Sequence, residues 1–204
     1  MDYLIGIVGI LIAGIITNNI VLNQSIAICP FLGVSKKMDN AVGMSLAVIF
    51  VLVLSSLLSY VVYAYVLVPL SLEFLQLTLF ILLIAALVQL IEILLKKFIP
   101  ALHKALGVYL PLITTNCAVL ATANAVATGT GIVAGTSMDA FQVLIYALAI
   151  GLGFMLAICL MAGVRERMER ADIPKPFRGF PITLLAAALI AMAFYGLGSI
   201  NFFG

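Results

Sequence analysis

The chain has 204 residues, of which 65% are hydrophobic and only 9% charged, with a formal net charge of +2. Soluble domains carry roughly a quarter charged residues, so this composition excludes a soluble domain and calls for an integral membrane protein. The small net charge offers nothing to nucleic acid, and three cysteines in apolar surroundings do not form a secreted disulfide framework.

Apolar runs of about 20 residues, enough to cross a ~30 Å hydrocarbon core as helices, recur along the whole chain. They predict an all-α integral membrane protein of six transmembrane helices, over Tyr3–Leu22, Ala41–Val68, Phe74–Leu95, Leu106–Val126, Ala140–Val164 and Phe180–Ile200. The first run has no basic lead and no small-residue cleavage site, so it reads as a span and not as a signal peptide. Its end is polar: Thr17-Asn18-Asn19 and Asn23-Gln24-Ser25 precede Ile28-Cys29-Pro30. A straight helix would carry Cys29 to the cytoplasmic surface. The polar groups suit a broken or re-entrant backbone that returns Cys29 toward the midplane, and Pro30 blocks simple helical continuation.

The second run is long enough to tilt or protrude. Pro69 and Pro100 fall at breaks between spans, where a missing N–H does least harm. The third run holds Glu92, the one acid well inside an apolar stretch. The fourth contains Leu110-Pro111-Leu112-Ile113-Thr114-Thr115-Asn116-Cys117-Ala118, crowded with polar side chains that a lipid-facing helix has no use for. Cys117 comes about 16 Å into this span, near the bilayer centre. The first and fourth helices are therefore expected to be broken or partial. A loop rich in glycine and threonine follows the fourth span, and Cys159 lies in the fifth with only apolar neighbours.

All ten Lys and Arg residues fall in three connections, at Lys36-Lys37, at Lys96, Lys97 and Lys104, and between Arg165 and Arg178. In a six-span protein these lie on one side. The positive-inside rule puts them in the cytoplasm and both termini outside, in a multi-pass protein of the cell membrane. Three spans per half make two halves run in opposite directions, so residues 1–98 and 99–204 read as inverted repeats of one membrane domain, each with a cysteine in or just after its first span.

Cys29 and Cys117 read either as small packed hydrophobes or as soft ligands suited to an iron–sulfur cluster, for which this chain would supply half the thiolates. Cys159 reads as packing. Glu92 reads as an i,i+4 partner of Lys96 or as a station on a cation pathway. Asn18, Asn19, Asn116 and Asn124, with Thr114 and Thr115, suit helix-break support or an ion path. His103 reads as a surface residue, and the Arg165–Arg178 segment, with Glu166, Glu169 and Asp172, as a solvated, self-paired or partner-binding loop. No nucleotide-binding glycine pattern, hydrolase triad or phosphate loop is present, so no catalytic residue is assigned.

Three motifs resemble a known family. Cys29-Pro30-Phe31-Leu32-Gly33-Val34-Ser35-Lys36-Lys37, the Leu110–Ala118 stretch and Ala171-Asp172-Ile173-Pro174-Lys175-Pro176-Phe177-Arg178-Gly179 look like the A-type subunit of the Rnf electron-transport complex, whose sister family is the E-type subunit of the sodium-translocating NADH:quinone reductase. The resemblance implies six spans in two inverted halves and a homologous partner of opposite orientation, the E-like Rnf subunit. It implies one 2Fe–2S cluster held by two cysteines from each partner, here Cys29 and Cys117. It also implies flavins and further clusters on the other Rnf subunits, and electron transfer between ferredoxin and NAD coupled to pumping of sodium ions or protons. On this reading the chain is one subunit of a redox-driven translocase, with no complete active site of its own. The alternative is a redox-inactive inverted-repeat carrier or channel, or a scaffold of a membrane complex. Iron and acid-labile sulfide on the purified pair would separate these.

Overall fold

The computed structural model describes residues 2–17, 19–35, 38–70, 73–98, 110–128, 140–170 and 179–198. Every regular element among them is helical. Helix α1 (Asp2–Ile12) runs into a π turn at Ala13–Thr17. A short helix α2 (Ile28–Val34) follows, then the long α3 (Met38–Val62). Next come α4 (Gln76–Phe98), the short α5 (Leu110–Thr114), α6 (Cys117–Thr128), the longest helix α7 (Ala140–Glu169) and α8 (Phe180–Gly198). Three described helices are long and apolar enough to cross a membrane, and the shorter apolar stretches Ile7–Ile16, Leu112–Thr128 and Phe180–Gly196 fall in the first, fourth and sixth predicted spans.

The predicted interruptions fall where the side chains demand them. The first segment stops at Thr17 and resumes as helix only at Ile28, and the fourth is cut between Thr114 and Cys117. One proline expectation needs correction. Pro30 lies inside the first turn of α2, where a missing N–H leaves nothing unsatisfied, so it opens a helix instead of blocking one. Pro69 falls just past the second apolar span, which ends at Leu67, although the helix itself runs on to Leu70. The helix passes through a π turn at Tyr63–Leu67, with the Val68 N–H donating to the Tyr63 carbonyl, and carries Pro69 within Val68–Leu70. Widening the ladder just before a proline accommodates its absent donor. Pro100 and His103 lie outside the described residues.

Helices α3 and α7 form the centre and run antiparallel. Met38 approaches Gly163 and Ile49 approaches Gly151, so early residues of one meet late residues of the other. Met44, Val48, Leu52, Phe154, Ile158 and Met161 are fully buried between the layers. The first segment packs on α7 through small residues: a Cβ added at Gly14 would lie 2.8 Å from the Ala149 Cβ, and one at Gly153 only 2.6 Å from the Gly14 carbonyl oxygen. On the other flank α6 packs against α3, while α4 touches α6 and the π turn of the first segment touches α8. The exterior carries exposed Phe50, Leu82, Ile93, Leu189 and Tyr195, which suits contact with lipid.

Gly153 is the tightest of these approaches. Gly153→Ala should destabilise the protein by roughly 1–3 kcal/mol, the usual range for overpacking. Gly9→Ala, with no atom within 4 Å of the new carbon, should leave stability unchanged or slightly raised. The midpoint of denaturant unfolding in detergent measures both.

Candidate functional site: two thiols at interrupted helices

Asn19 organises the first interruption. It is fully buried, and its Nδ2 donates to the carbonyls of Ile15 (3.1 Å) and Gly153 (2.8 Å). Its Oδ1 accepts from the N–H groups of Val21 (3.1 Å) and Leu22 (3.3 Å). One amide therefore satisfies four backbone groups and ties the break to α7. The turn that follows places Ser25 and Ala27 at φ 56° and 67°, left-handed conformations that side-chain-bearing residues adopt at a cost. Cys29 follows two residues later.

Cys29 is exposed in the first turn of α2, while Pro30, Phe31 and Val34 are buried beneath it. The other end of α2 is held by Arg165. Its Nη1 donates to the Leu32 carbonyl (2.7 Å) and to Oγ of the fully buried Ser35 (2.9 Å). A cation on carbonyls at a helix C-terminus is favourable both as a charge-assisted bond and through the helix dipole. Cys29 precedes Ser35 by about 9 Å of helix at 1.5 Å per residue.

The second interruption repeats the device. Asn116 is buried, its N–H donates to the Ile113 carbonyl (3.2 Å), and its own carbonyl accepts from the Val119 N–H (3.1 Å). Its Oδ1 accepts from the Ala118 N–H (3.1 Å), an N-cap for α6. Its Nδ2 is buried without a hydrogen-bond partner among the described residues. Cys117 is exposed at the head of α6, with Sγ 3.9 Å from the Thr115 carbonyl oxygen. Asn116 thus satisfies the N–H groups of Ala118 and Val119 in the first turn of this twelve-residue helix. Helix α2 touches α5, the short piece that leads into Cys117, so the two thiol-bearing segments are neighbours.

The remaining predicted residues separate from this pair. Asn124 accepts from Gln76 Nε2 at 2.9 Å and staples α6 to α4. Thr114 is partly buried and Thr115 exposed beside the break, and Asn18 lies outside the described residues. Glu92 and Lys96 are both exposed on α4 but form no ion pair, contrary to the i,i+4 expectation; the helix surface lets both side chains extend into the surroundings. Arg165, Glu166 and Arg167 do not belong to a loop, because α7 continues to Glu169. Self-pairing does occur there, between Arg170 and Glu166 at 3.3 Å. Cys159 is partly buried on α7 and lines a surface groove. Arg165, Ser35, Gln76 and Gly153 were not singled out from sequence. The only signal for Gln76 was a polar residue opening an apolar run, and for Arg165 a first basic residue closing one.

Described residues that are helical throughout their regular elements, with an apolar exterior and two interrupted segments each followed by an exposed thiol, define a polytopic membrane protein. Comparison with known proteins places it further. Residues 7–201 match the family model described as "Rnf-Nqr subunit, membrane protein", and the chain belongs to that family. It is 50% identical over 192 residues to the A-type subunit of the "Na(+)-translocating ferredoxin:NAD(+) oxidoreductase complex" of Acetobacterium woodii, covering 94% of this chain and 96% of the relative. It is 45% identical over 193 residues to the A-type subunit of the "Ion-translocating oxidoreductase complex" of Hahella chejuensis, with the same coverage. A protein of the same name from Actinobacillus pleuropneumoniae is 43% identical over 196 residues, 96% of each chain. These relatives bear out the resemblance read from the three motifs.

The Arg165 contact makes the Cys29 helix dependent on one side chain. Arg165→Gln should speed amide hydrogen exchange across residues 28–35 by about tenfold or more, the factor expected for losing bonds to a charged donor. Residues 80–90 of α4 should exchange as before. Mass-resolved exchange on the purified protein reads both segments.

Proposed function

We propose that this chain is the A-type subunit of an ion-translocating ferredoxin:NAD oxidoreductase complex and relays electrons within the membrane. The observation that carries the proposal is the pair of exposed thiols, Cys29 and Cys117, on neighbouring segments that each follow an interrupted helix. The donor set fits half of a 2Fe–2S site. Such clusters are held mostly by four thiolates, and no group of three or more His, Cys, Asp or Glu gathers among the described residues. The other two thiolates would come from a homologous subunit of opposite orientation. When bound, the cluster supplies one-electron transfer. This chain's part is to present two sulfurs at fixed positions: Asn116 caps the Cys117 helix and Arg165 anchors the Cys29 helix. Flavins and further clusters would belong to the other subunits, and the transported ion would be sodium or a proton.

The inverted-repeat reading, with residues 1–98 and 99–204 as the halves, has support in the packing. Exchanging the halves turns the contact of α4 with α6 into that of α8 with the first segment, and the contact of α3 with α6 into that of α7 with the first segment. It exchanges α3 with α7, which pack antiparallel as a pair related by a twofold axis in the membrane plane must. Asn19 and Asn116 each use Oδ1 to accept the N–H two residues on, the same local device at both breaks. In this reading six spans cross the cell membrane, with the basic connections in the cytoplasm and both termini outside. The bond from Arg165 to Ser35, beside Lys36 in sequence, supports gathering two of the basic connections at one end.

Two measurements test this. Cys29→Ser and Cys117→Ser should each remove the 2Fe–2S electron paramagnetic resonance signal and its iron and sulfide from the co-purified pair, and this chain purified alone should bind none. A normal cluster in either variant would sink the shared site. Glu92→Gln should leave electron transfer and ion uptake by vesicles within about twofold, since exposed charges contribute ~0–1 kcal/mol. Loss of uptake with electron transfer intact would instead place Glu92 on the ion path.

A further inference from the structure

One face of α7 lies open. Leu152, Leu156, Cys159, Gly163 and Arg167 recur at helical spacing and line a groove of about 820 Å³. Ile15, which the approach at Gly153 brings beside α7, walls one end, and Met38, beside Gly163, walls the other. From Leu152 to Arg167 the groove runs about 22 Å at 1.5 Å per residue, somewhat more than one leaflet of a ~30 Å hydrocarbon core. Its floor is apolar throughout and its Arg167 end is cationic.

The charge at that end is uncommitted. Arg165 is engaged with Leu32 and Ser35, and Arg170 with Glu166, whose carboxylate is thereby turned to its own helix. Arg167 is exposed, and its guanidinium makes no hydrogen bond or ion pair among the described residues. In sequence, Lys36 and Lys37 directly precede Met38. Gly163 widens the groove below the arginine: a Cβ there would meet only the tip of Met38, at 4.0 Å.

We propose that this groove is a binding site for an anionic phospholipid of the leaflet on the basic side. The headgroup phosphate pairs with the Arg167 guanidinium, which is suited to bidentate phosphate contact. An acyl chain lies along α7 past Gly163 and Cys159 toward Ile15. Apolar length sufficient to span one leaflet, ended by an unpaired guanidinium, distinguishes this groove from the rest of the apolar exterior. The proposal does not depend on the cluster.

The test uses the assembled complex in nanodiscs containing a phosphatidylglycerol analogue with a photoreactive group on its acyl chain. After irradiation, adducts are mapped by mass spectrometry. Adducts should concentrate on residues 152–164. Arg167→Gln should lower them by about fivefold, the factor one basic residue near an anionic surface provides. Gly163→Leu, whose Cβ would meet only the tip of Met38, should lower them at least as much, and Arg170→Gln should not change them. Assembly of each variant is checked by the yield of intact complex. Equal labelling by a phosphatidylcholine analogue, unaffected by Arg167→Gln, would reduce the groove to ordinary lipid contact and overturn the proposal. Absence of labelling there in the intact complex would also overturn it, and would mean that a neighbouring protein of the complex covers this face.

Discussion

A backbone that leaves the helix inside hydrocarbon exposes N–H and carbonyl groups to a medium that cannot bond them, and the two interrupted segments depend on how that demand is met. In each case a single asparagine meets most of it. Asn19 satisfies two carbonyls and two N–H groups, one of the carbonyls on α7. Asn116 bridges α5 and α6 with its backbone and caps α6 with its side chain. An amide is suited to this because it donates and accepts at once without carrying charge. Removing the Asn19 amide would leave four backbone groups unpaired together, a larger penalty than one net hydrogen bond, whereas removing that of Asn116 would uncap one N–H.

Much of this was legible in the sequence. The helical, apolar character of the chain, the breaks in the first and fourth apolar segments, and the separation of Cys29 and Cys117 from Cys159 followed from apolar run length and from polar residues where none should be. What escaped was decided by partners distant in the chain. Nothing local to Arg165 says that its guanidinium closes a helix more than a hundred residues earlier, and nothing near Gly153 announces that its carbonyl receives Asn19. The error at Pro30 had a different source. A proline pattern marks a lost donor, but whether the helix stops, widens or begins there depends on which turn the proline occupies. Pro69 follows a π turn and Pro30 falls in a first turn, both tolerant positions. The Glu92–Lys96 spacing permitted a pair that two exposed side chains do not make.

The molecule divides its rigidity unevenly. Where α7 meets the first segment and α3, glycine and alanine bring backbones together, and added carbons would collide at Gly14, Gly151 and Gly153. Close packing of this kind tolerates little displacement. The thiol-bearing segments are held differently, by short helices and a few directed polar contacts. Helix α2 has seven residues and α5 has five, too few to be stable by themselves, so their positions are inherited from Arg165, Asn116 and the buried faces beneath.

That division has a consequence for the proposed role. Both thiols are exposed on the bundle, and the backbone at Ser25 and Ala27 is held in a costly conformation just before one of them. Neither feature helps an isolated chain in a bilayer, which would bury small sulfur-bearing side chains as packing. Both are reasonable if the face that carries Cys29 and Cys117 is completed by a second protein offering matching sulfurs. The rigid α3–α7 centre then fixes the depth of the face, and the short polar-anchored helices leave the thiols enough freedom to adjust to ligands supplied from the other side.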